Sequence, residues 1–229
     1  MKVNENIVAI DGPAGVGKGT LTRNLCNKYG FVGLDTGSLY RAITLYLMRQ
    51  GYDMEKIDPA RAVEETKKIS DNHEILKYAA DPEIRSALNS KYVYVVADNA
   101  PLREVIKDYQ VDFGRSPPPL ANGTPAKGAV VEGRDIGTII FPDAPVKIFL
   151  TAAPEIKASR RYDEYVSKGI EADYKSILAE MVKRDEADRT RKVGTLVPAK
   201  DSLILDTSDK SREEVLAWAS KVVEERLKL

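Results

Sequence analysis

The stretch Gly12-Pro13-Ala14-Gly15-Val16-Gly17-Lys18 narrows what this chain can fold into more than any other feature. It fits the spacing G-x-x-x-x-G-K and sits between an apolar β-type run, Ile7 to Ile10, and a helical pattern. Glycines at this spacing let consecutive backbone N–H groups turn inward, the next helix aims its positive end at the same point, and Lys18 adds a mobile cation. The loop reads as an anion cradle for a nucleoside triphosphate. The magnesium-binding hydroxyl that usually follows the lysine is replaced by Gly19, with Thr20 next. Contact between Thr20 and Mg²⁺, direct or through water, stays open on the sequence.

Downstream, Leu21, Leu25 and Lys28 recur at helical spacing, and Gly30 stops that helix before the apolar run 31–34. Further runs at 129–131, 146–150 and 203–205 are short and nearly continuous, as strands covered on both faces tend to be. Helical patterns occupy 38–50, 59–70, 81–89 with Asp81 and Pro82 at its start, 101–113, 154–168 opening on Pro154, 173–187 and 211–228. Alternating β and α elements predict an open α/β fold with a parallel sheet flanked by helices. The block 52–113 carries little strand signal and reads as a helical subdomain inserted into that core. The Pro/Gly-rich segment 115–128 is expected to be an exposed loop.

With 43% hydrophobic residues in 229, the chain can close a sizeable core. Its 35 Lys plus Arg cancel 35 Asp plus Glu, so no net field draws it to nucleic acid or an anionic membrane. Any polyanion must be gripped locally. No apolar run approaches the roughly 20 residues of a membrane span, and Asp11 ends the first run too early for a secretory leader, so a cytoplasmic protein is expected. Cys26 and His73 are single, which excludes an internal disulfide and a Cys/His metal cage. His73, in a polar stretch, reads as a surface residue, and Cys26, on an amphipathic helix, as a small buried hydrophobe.

Further polar clusters follow the strands. Asp35-Thr36-Gly37-Ser38-Leu39-Tyr40-Arg41 opens a helix with small polar residues, either as an ordinary N-cap or as a second phosphate site. Glu132-Gly133-Arg134-Asp135 emerges at the carboxyl edge of a parallel sheet, where ligands bind in this architecture. Arg160-Arg161 and the helical set Arg184, Asp188 and Arg191 read equally well as surface ion pairs when taken alone. Beside an anion cradle the arginines acquire a purpose. Phosphoryl transfer between two anionic substrates requires repulsion to be cancelled and the equatorial oxygens held in line. A phosphate acceptor is already ionised at neutral pH and needs no catalytic histidine.

The segments 12–20, Leu34-Asp-Thr-Gly-Ser-Leu-Tyr-Arg41, Val131-Glu-Gly-Arg-Asp-Ile-Gly-Thr138, 141–152, Arg160-Arg-Tyr162, 184–191 and the stretches near 197–208 resemble the bacterial cytidylate kinases, in order and over nearly the whole chain. The resemblance implies a P-loop NTPase-type open parallel sheet with an inserted nucleoside monophosphate-binding subdomain and a short lid. It divides the chain into a core of 1–51, 129–153 and 192–229, an insertion of about 52–128 and a lid of about 154–191. The implied reaction moves the γ-phosphoryl of ATP to CMP or dCMP with Mg²⁺, in a monomer that binds neither nucleic acid nor membrane.

By matching position, Gly12, Pro13, Ala14, Gly15, Val16, Gly17, Lys18, Gly19 and Thr20 would hold ATP. Thr36, Arg41, Arg134 and Arg191 would bind CMP around its phosphate, Arg184 and Asp188 its sugar, and Arg103 and Asp135 its base. Arg160 and Arg161 would approach the transferring group together with Lys18. A cytosine N4 amino group suits a carboxylate, and its N3 and O2 acceptors suit a guanidinium. Tyr94 stands where the family usually carries a serine against the base; Gln110-Val111 stands where it carries Gln-Arg and the 115–128 loop is longer than usual, so neither of these two segments inherits a role. The competing readings are a kinase for another acceptor such as UMP or dTMP, and a non-catalytic nucleotide switch.

Overall fold

The computed structural model describes residues 5–71, 74–191 and 193–229, and His73 lies outside them. Five strands form one sheet in the order β2-β3-β1-β4-β5: β1 Ile7–Asp11, β2 Val32–Asp35, β3 Ala129–Gly133, β4 Val146–Thr151 and β5 Leu203–Asp206. β1 runs parallel to β3 and to β4, and β4 parallel to β5. Every residue of β1 and β3 is buried, the apolar runs 7–10 and 129–131 together with the carboxylates Asp11 and Glu132 near their carboxyl ends. Edge strand β5 departs from that pattern and leaves Ile204 59% exposed.

Two compact units make up the chain, residues 1–34 with 114–229, and residues 35–113. In the first unit, α1 (Lys18–Tyr29) and α9 (Arg212–Leu227) bring Leu21, Leu25, Val215, Ala219, Val222 and Val223 onto Val8, Ile10, Val130, Ile148 and Leu150. α1 ends at Gly30, whose φ of 67° is left-handed. α9 opens on a capping box in which Ser211 and Glu214 satisfy each other's backbone N–H groups. α7 (Pro154–Ser167) and α8 (Tyr174–Thr190) pair through Ala158, Ile177 and Met181.

The second unit is helical, with α2 (Thr36–Arg49) packed against α3 (Pro59–Asp71), α4 (Ile75–Ala79), a 3₁₀ turn at Pro82–Arg85 and α5 (Ala87–Ala97). α6 (Ala100–Arg115) follows. The single helix expected over 81–89 is broken, because Ser86 turns extended (ψ 156°) and caps α5 through the Asn89 N–H at 3.2 Å. Asp81 caps the 3₁₀ turn as its sequence suggests, accepting from Glu83 N.

This unit spans 35–113, against an expected insertion of about 52–128. α2 belongs to it because Leu39, Ala42, Ile43 and Leu47, buried along the helix, meet α4 and α5. The exposed 115–128 loop instead rejoins the sheet, where Gly128 O accepts from Val32 N and Lys127 N donates to Gly30 O.

Gly114 marks the return of the chain to the sheet. A Cβ there would lie 2.4 Å from Cζ of Phe141, a ring with no exposed surface. Gly114→Ala is therefore expected to destabilise the protein by about 1–3 kcal/mol through overpacking, read as a lower urea midpoint with an unchanged m-value.

Candidate functional site

β1 delivers the chain to its carboxyl end at Asp11, and the glycine-rich loop turns there. Gly12 has φ 147° and lies so close to β4 that a Cβ would stand 2.2 Å from Leu150 O, so no side chain fits. α1 starts at Lys18 on Gly17, with no side-chain cap and no acidic residue in its first turn. Its leading N–H groups and positive dipole end are thus presented to the loop. Lys18, 9% exposed, donates to the carbonyls of Gly12 at 2.7 Å and Pro13 at 2.8 Å, which holds its ammonium over the loop.

A Cβ on Gly19 would sit 3.3 Å from Oε1 of Glu132, a buried carboxylate of β3, and the nearest hydroxyl stands one residue on, at Thr20. Thr20 and Glu132 together offer hard oxygen donors, the ligand chemistry that Mg²⁺ takes.

Beside the loop, both Asp11 carboxylate oxygens accept backbone N–H groups from Ile136 at 2.8 Å and Gly137 at 2.7 Å. Those residues open a single π-helical turn, Ile136–Ile140, directly after Arg134-Asp135. Burial pushes the Asp11 carboxyl up to about 6; the two N–H bonds pull against that shift, the Asp135 charge adds to it, and Lys18 opposes it.

The arginines after β3 and on α8 share one carboxylate. Arg134 Nε lies 2.7 Å from Asp188 Oδ2 and Arg191 3.4 Å from Asp188 Oδ1. Burial alone would raise the Asp188 carboxyl, but Arg134, with its hydrogen bond, and then Arg184 and Arg191 hold it below the usual range. Asp188 thus gathers Arg184 and Arg191, its neighbours by helical spacing, and Arg134 from beyond β3.

On α7 the two adjacent arginines part. Arg160 donates to Thr207 O at 2.6 Å and to its hydroxyl at 3.1 Å, and reaches Gly15 O at 3.5 Å. Thr207 in turn holds Val16 O and Thr151 O at 3.2 Å, so Arg160 stands against the phosphate loop. Arg161 turns instead to Glu164 at 3.0 Å and to the Tyr165 ring. Under the loop, a buried Lys157–Asp185 pair joins α7 to α8. A Cβ on Gly15, whose φ is 81°, would come within 3.1 Å of Lys157 Cβ and Met181 Cε.

In the helical unit, Thr36 is buried at the start of α2, where Asp35 takes the N-cap position but makes no side-chain cap bond. Arg41 donates to Ser90 Oγ at 2.8 Å. Arg103 is 8% exposed, bonded to Ala97 O at 3.1 Å and set over the Tyr40 ring at 5.3 Å. Tyr94 lines a surface depression of about 460 Å³ with Met54, Glu55, Ile57 and Asp98.

Three residues were not singled out in the sequence: Asp11, Lys157 and Thr207. Asp11 was visible as a carboxylate at the end of an apolar strand, a position where a charge is costly unless used. Thr207 and Lys157 carried no local signal, because their partners lie 191 and 28 residues away. The Cys26 thiol is pushed up to about 12 by burial and then by the Glu132 charge, in keeping with an inert packing role.

Folding raises the Asp11 pKa from 3.8 to about 6, so the stabilisation gained by protonating it is complete below 3.8 and lost as pH rises through 6. Between about pH 5 and about pH 7.5 the wild type should lose roughly 1 kcal/mol of stability relative to Asp11→Asn, which cannot titrate. Urea denaturation of both proteins at the two pH values checks this, and parallel stability curves would contradict it.

A model of the cytidylate kinase family matches residues 8–225. A cytidylate kinase of Rhodopseudomonas palustris is 41% identical over 218 residues, covering 95% of this chain and 95% of its own. One of Paramagnetospirillum magneticum is 41% identical over 217 residues, covering 95% of this chain and 97% of its own. Among solved structures, an uncharacterized protein from Eubacterium ventriosum shares the fold at a TM-score of 0.52 and 13% identity, over 97% of this chain and 100% of its own. No described helix is long and apolar enough to cross a membrane. The chain belongs to the cytidylate kinase family.

Proposed function

We propose that this protein transfers the γ-phosphoryl group of ATP to CMP and dCMP, releasing ADP and the nucleoside diphosphate. The observation that carries the reading is the placement of an anion-binding loop, with Lys18 over it, at the end of β1 and of Arg134 just past the adjoining end of β3. Residues 12–20 take the triphosphate on backbone N–H groups, and Lys18 leaves its carbonyl partners for phosphate oxygens. Arg134 and Arg191 meet the acceptor phosphate. Arg184 and Asp188 take the sugar.

The acceptor is an ionised phosphate, so these residues have no proton to remove. Their work is positioning and charge compensation, which in comparable phosphoryl transfers is worth ~10³–10⁵ in rate for a single arginine. Mg²⁺ would supply further charge neutralisation when bound, and Thr20 and Glu132 are the residues that would hold it. Arg160, tied to Gly15 and Thr207, is the α7 arginine placed to reach the transferring group, with Arg161 next to it. Residues 35–113 serve as the acceptor-binding subdomain and α7 with α8 as the lid.

Base choice rests on Asp135. Cytosine presents its N4 amino donor to the carboxylate, whereas uracil presents a carbonyl, and a buried mismatch of this kind supports discrimination of up to ~10⁴.

A coupled ADP-release assay with MgATP against CMP, dCMP, UMP, AMP, GMP and dTMP tests the reading. CMP and dCMP should give the highest kcat/KM, and a preference for another acceptor would contradict it. Lys18→Ala should lower kcat by about 10²–10³-fold with CMP. Asp135→Asn should cut the CMP:UMP ratio of kcat/KM by about tenfold or more, and an unchanged ratio would remove Asp135 from base reading.

A further inference from the structure

Asp11 is a buried carboxylate, 4% exposed, and the transfer reaction as described gives it no task. Both of its oxygens are committed to consecutive N–H groups, those of Ile136 and Gly137. These are the opening N–H groups of the π-helical turn, which a helix ordinarily satisfies with the side chain of its own N-cap residue. Here the N-cap residue is Asp135, and its side chain makes no cap hydrogen bond. The cap comes instead from a neighbouring strand. Asp11 pairs with Gly133 in the β1–β3 register, so this bond crosses between the two strand ends that carry the site.

The surroundings leave the task to this carboxylate. Lys147 packs its aliphatic stem near Gly137, where a Cβ would meet Lys147 Cδ at 3.3 Å, but its ammonium is committed to Asp201 at 2.8 Å and to Pro142 O. Asp135 adds a like charge nearby, and Lys18 adds an opposite one from the loop. A carboxylate in this position is costly to ionise, and a fold that needed only packing would be served by an apolar side chain.

We propose that Asp11 is a positioning residue for phosphoryl transfer: acting as a cap from the adjacent strand, it fixes the Arg134-Asp135 segment to the start of the phosphate loop and relieves Asp135 of capping. The anion cradle and the acceptor-reading segment are then registered by one carboxylate, since Asp11 is joined covalently to Gly12 and through hydrogen bonds to the turn after Asp135. The inference rests on the proposed role of Asp135 in reading the base.

The test compares the CMP:UMP ratio of kcat/KM in wild type, Asp11→Asn and Asp135→Asn, together with amide hydrogen exchange at Ile136 and Gly137. Loss of stability or of active fraction alone changes both substrates equally and leaves that ratio intact. Asp11→Asn removes one of the two acceptors, and the ratio should fall at least fivefold while exchange at both amides speeds up at least tenfold. A ratio held within twofold in Asp11→Asn, alongside a collapse in Asp135→Asn, would overturn the proposal. If Asp135→Asn itself leaves the ratio unchanged, the base reading falls, and the exchange rates decide for Asp11: unchanged protection overturns its capping role. Should Asp11→Asn fail to fold, Asp11→Glu, which keeps the charge and moves it by one methylene, is read by the same criteria.

Discussion

A loop that wraps phosphate with its backbone must present N–H groups to a single point, and very little polypeptide can do so. In this protein the requirement is met by forcing the chain past β4 so closely that only hydrogen fits at Gly12, then starting α1 on Gly17 without a side-chain cap. The first turn of α1 is left with donors and a positive dipole end that folding does not consume. The rest of the first unit supports that arrangement. The buried strands β1, β3 and β4 give it a rigid floor, Thr207 and Arg160 hold the carbonyls of Val16 and Gly15 from one side, and Asp11 fixes the neighbouring turn from the other.

Electrostatics follow the same logic of groups held ready by neighbours. Asp188 sits between Arg134 and Arg191 and keeps two guanidinium groups close despite their repulsion. The carboxylate stays ionised because of them, and they remain ordered because of it. Substrate phosphates compete for such arginines by offering more negative charge, so the pairing costs little when the site is used. Lys18 is handled alike: its ammonium rests on two loop carbonyls, partners weaker than a phosphate.

Much of this could be read from residues before any coordinates. The phosphate loop, the five strands and the helices over 59–70, 154–168 and 211–228 follow from local patterns, because each is set by near neighbours in the chain. Local patterns failed where tertiary packing decides. The helix over 81–89 breaks at Ser86, which gains a cap bond, and α4 is too short for periodicity to show. α2 packs on α4 and α5, a fact that spacing within α2 cannot reveal. In the site, Arg184, Asp188 and Arg191 were legible as one helical set but Arg134 was not legible as their partner, and adjacent Arg160 and Arg161 read alike although the fold separates them. Asp11 was legible only as the end of an apolar run. Its partners are 125 and 126 residues away, and only the parallel register of β1 and β3 brings them together.

The claim on which everything else depends is that the loop from Gly12 to Thr20 draws its binding energy from phosphate. Calorimetric titration of the protein with ATP, ADP and adenosine measures this directly. The account predicts that adenosine binds at least 10²-fold more weakly than ATP, as expected when charge-assisted hydrogen bonds to the phosphates dominate. Equal affinities for ATP and adenosine would contradict it.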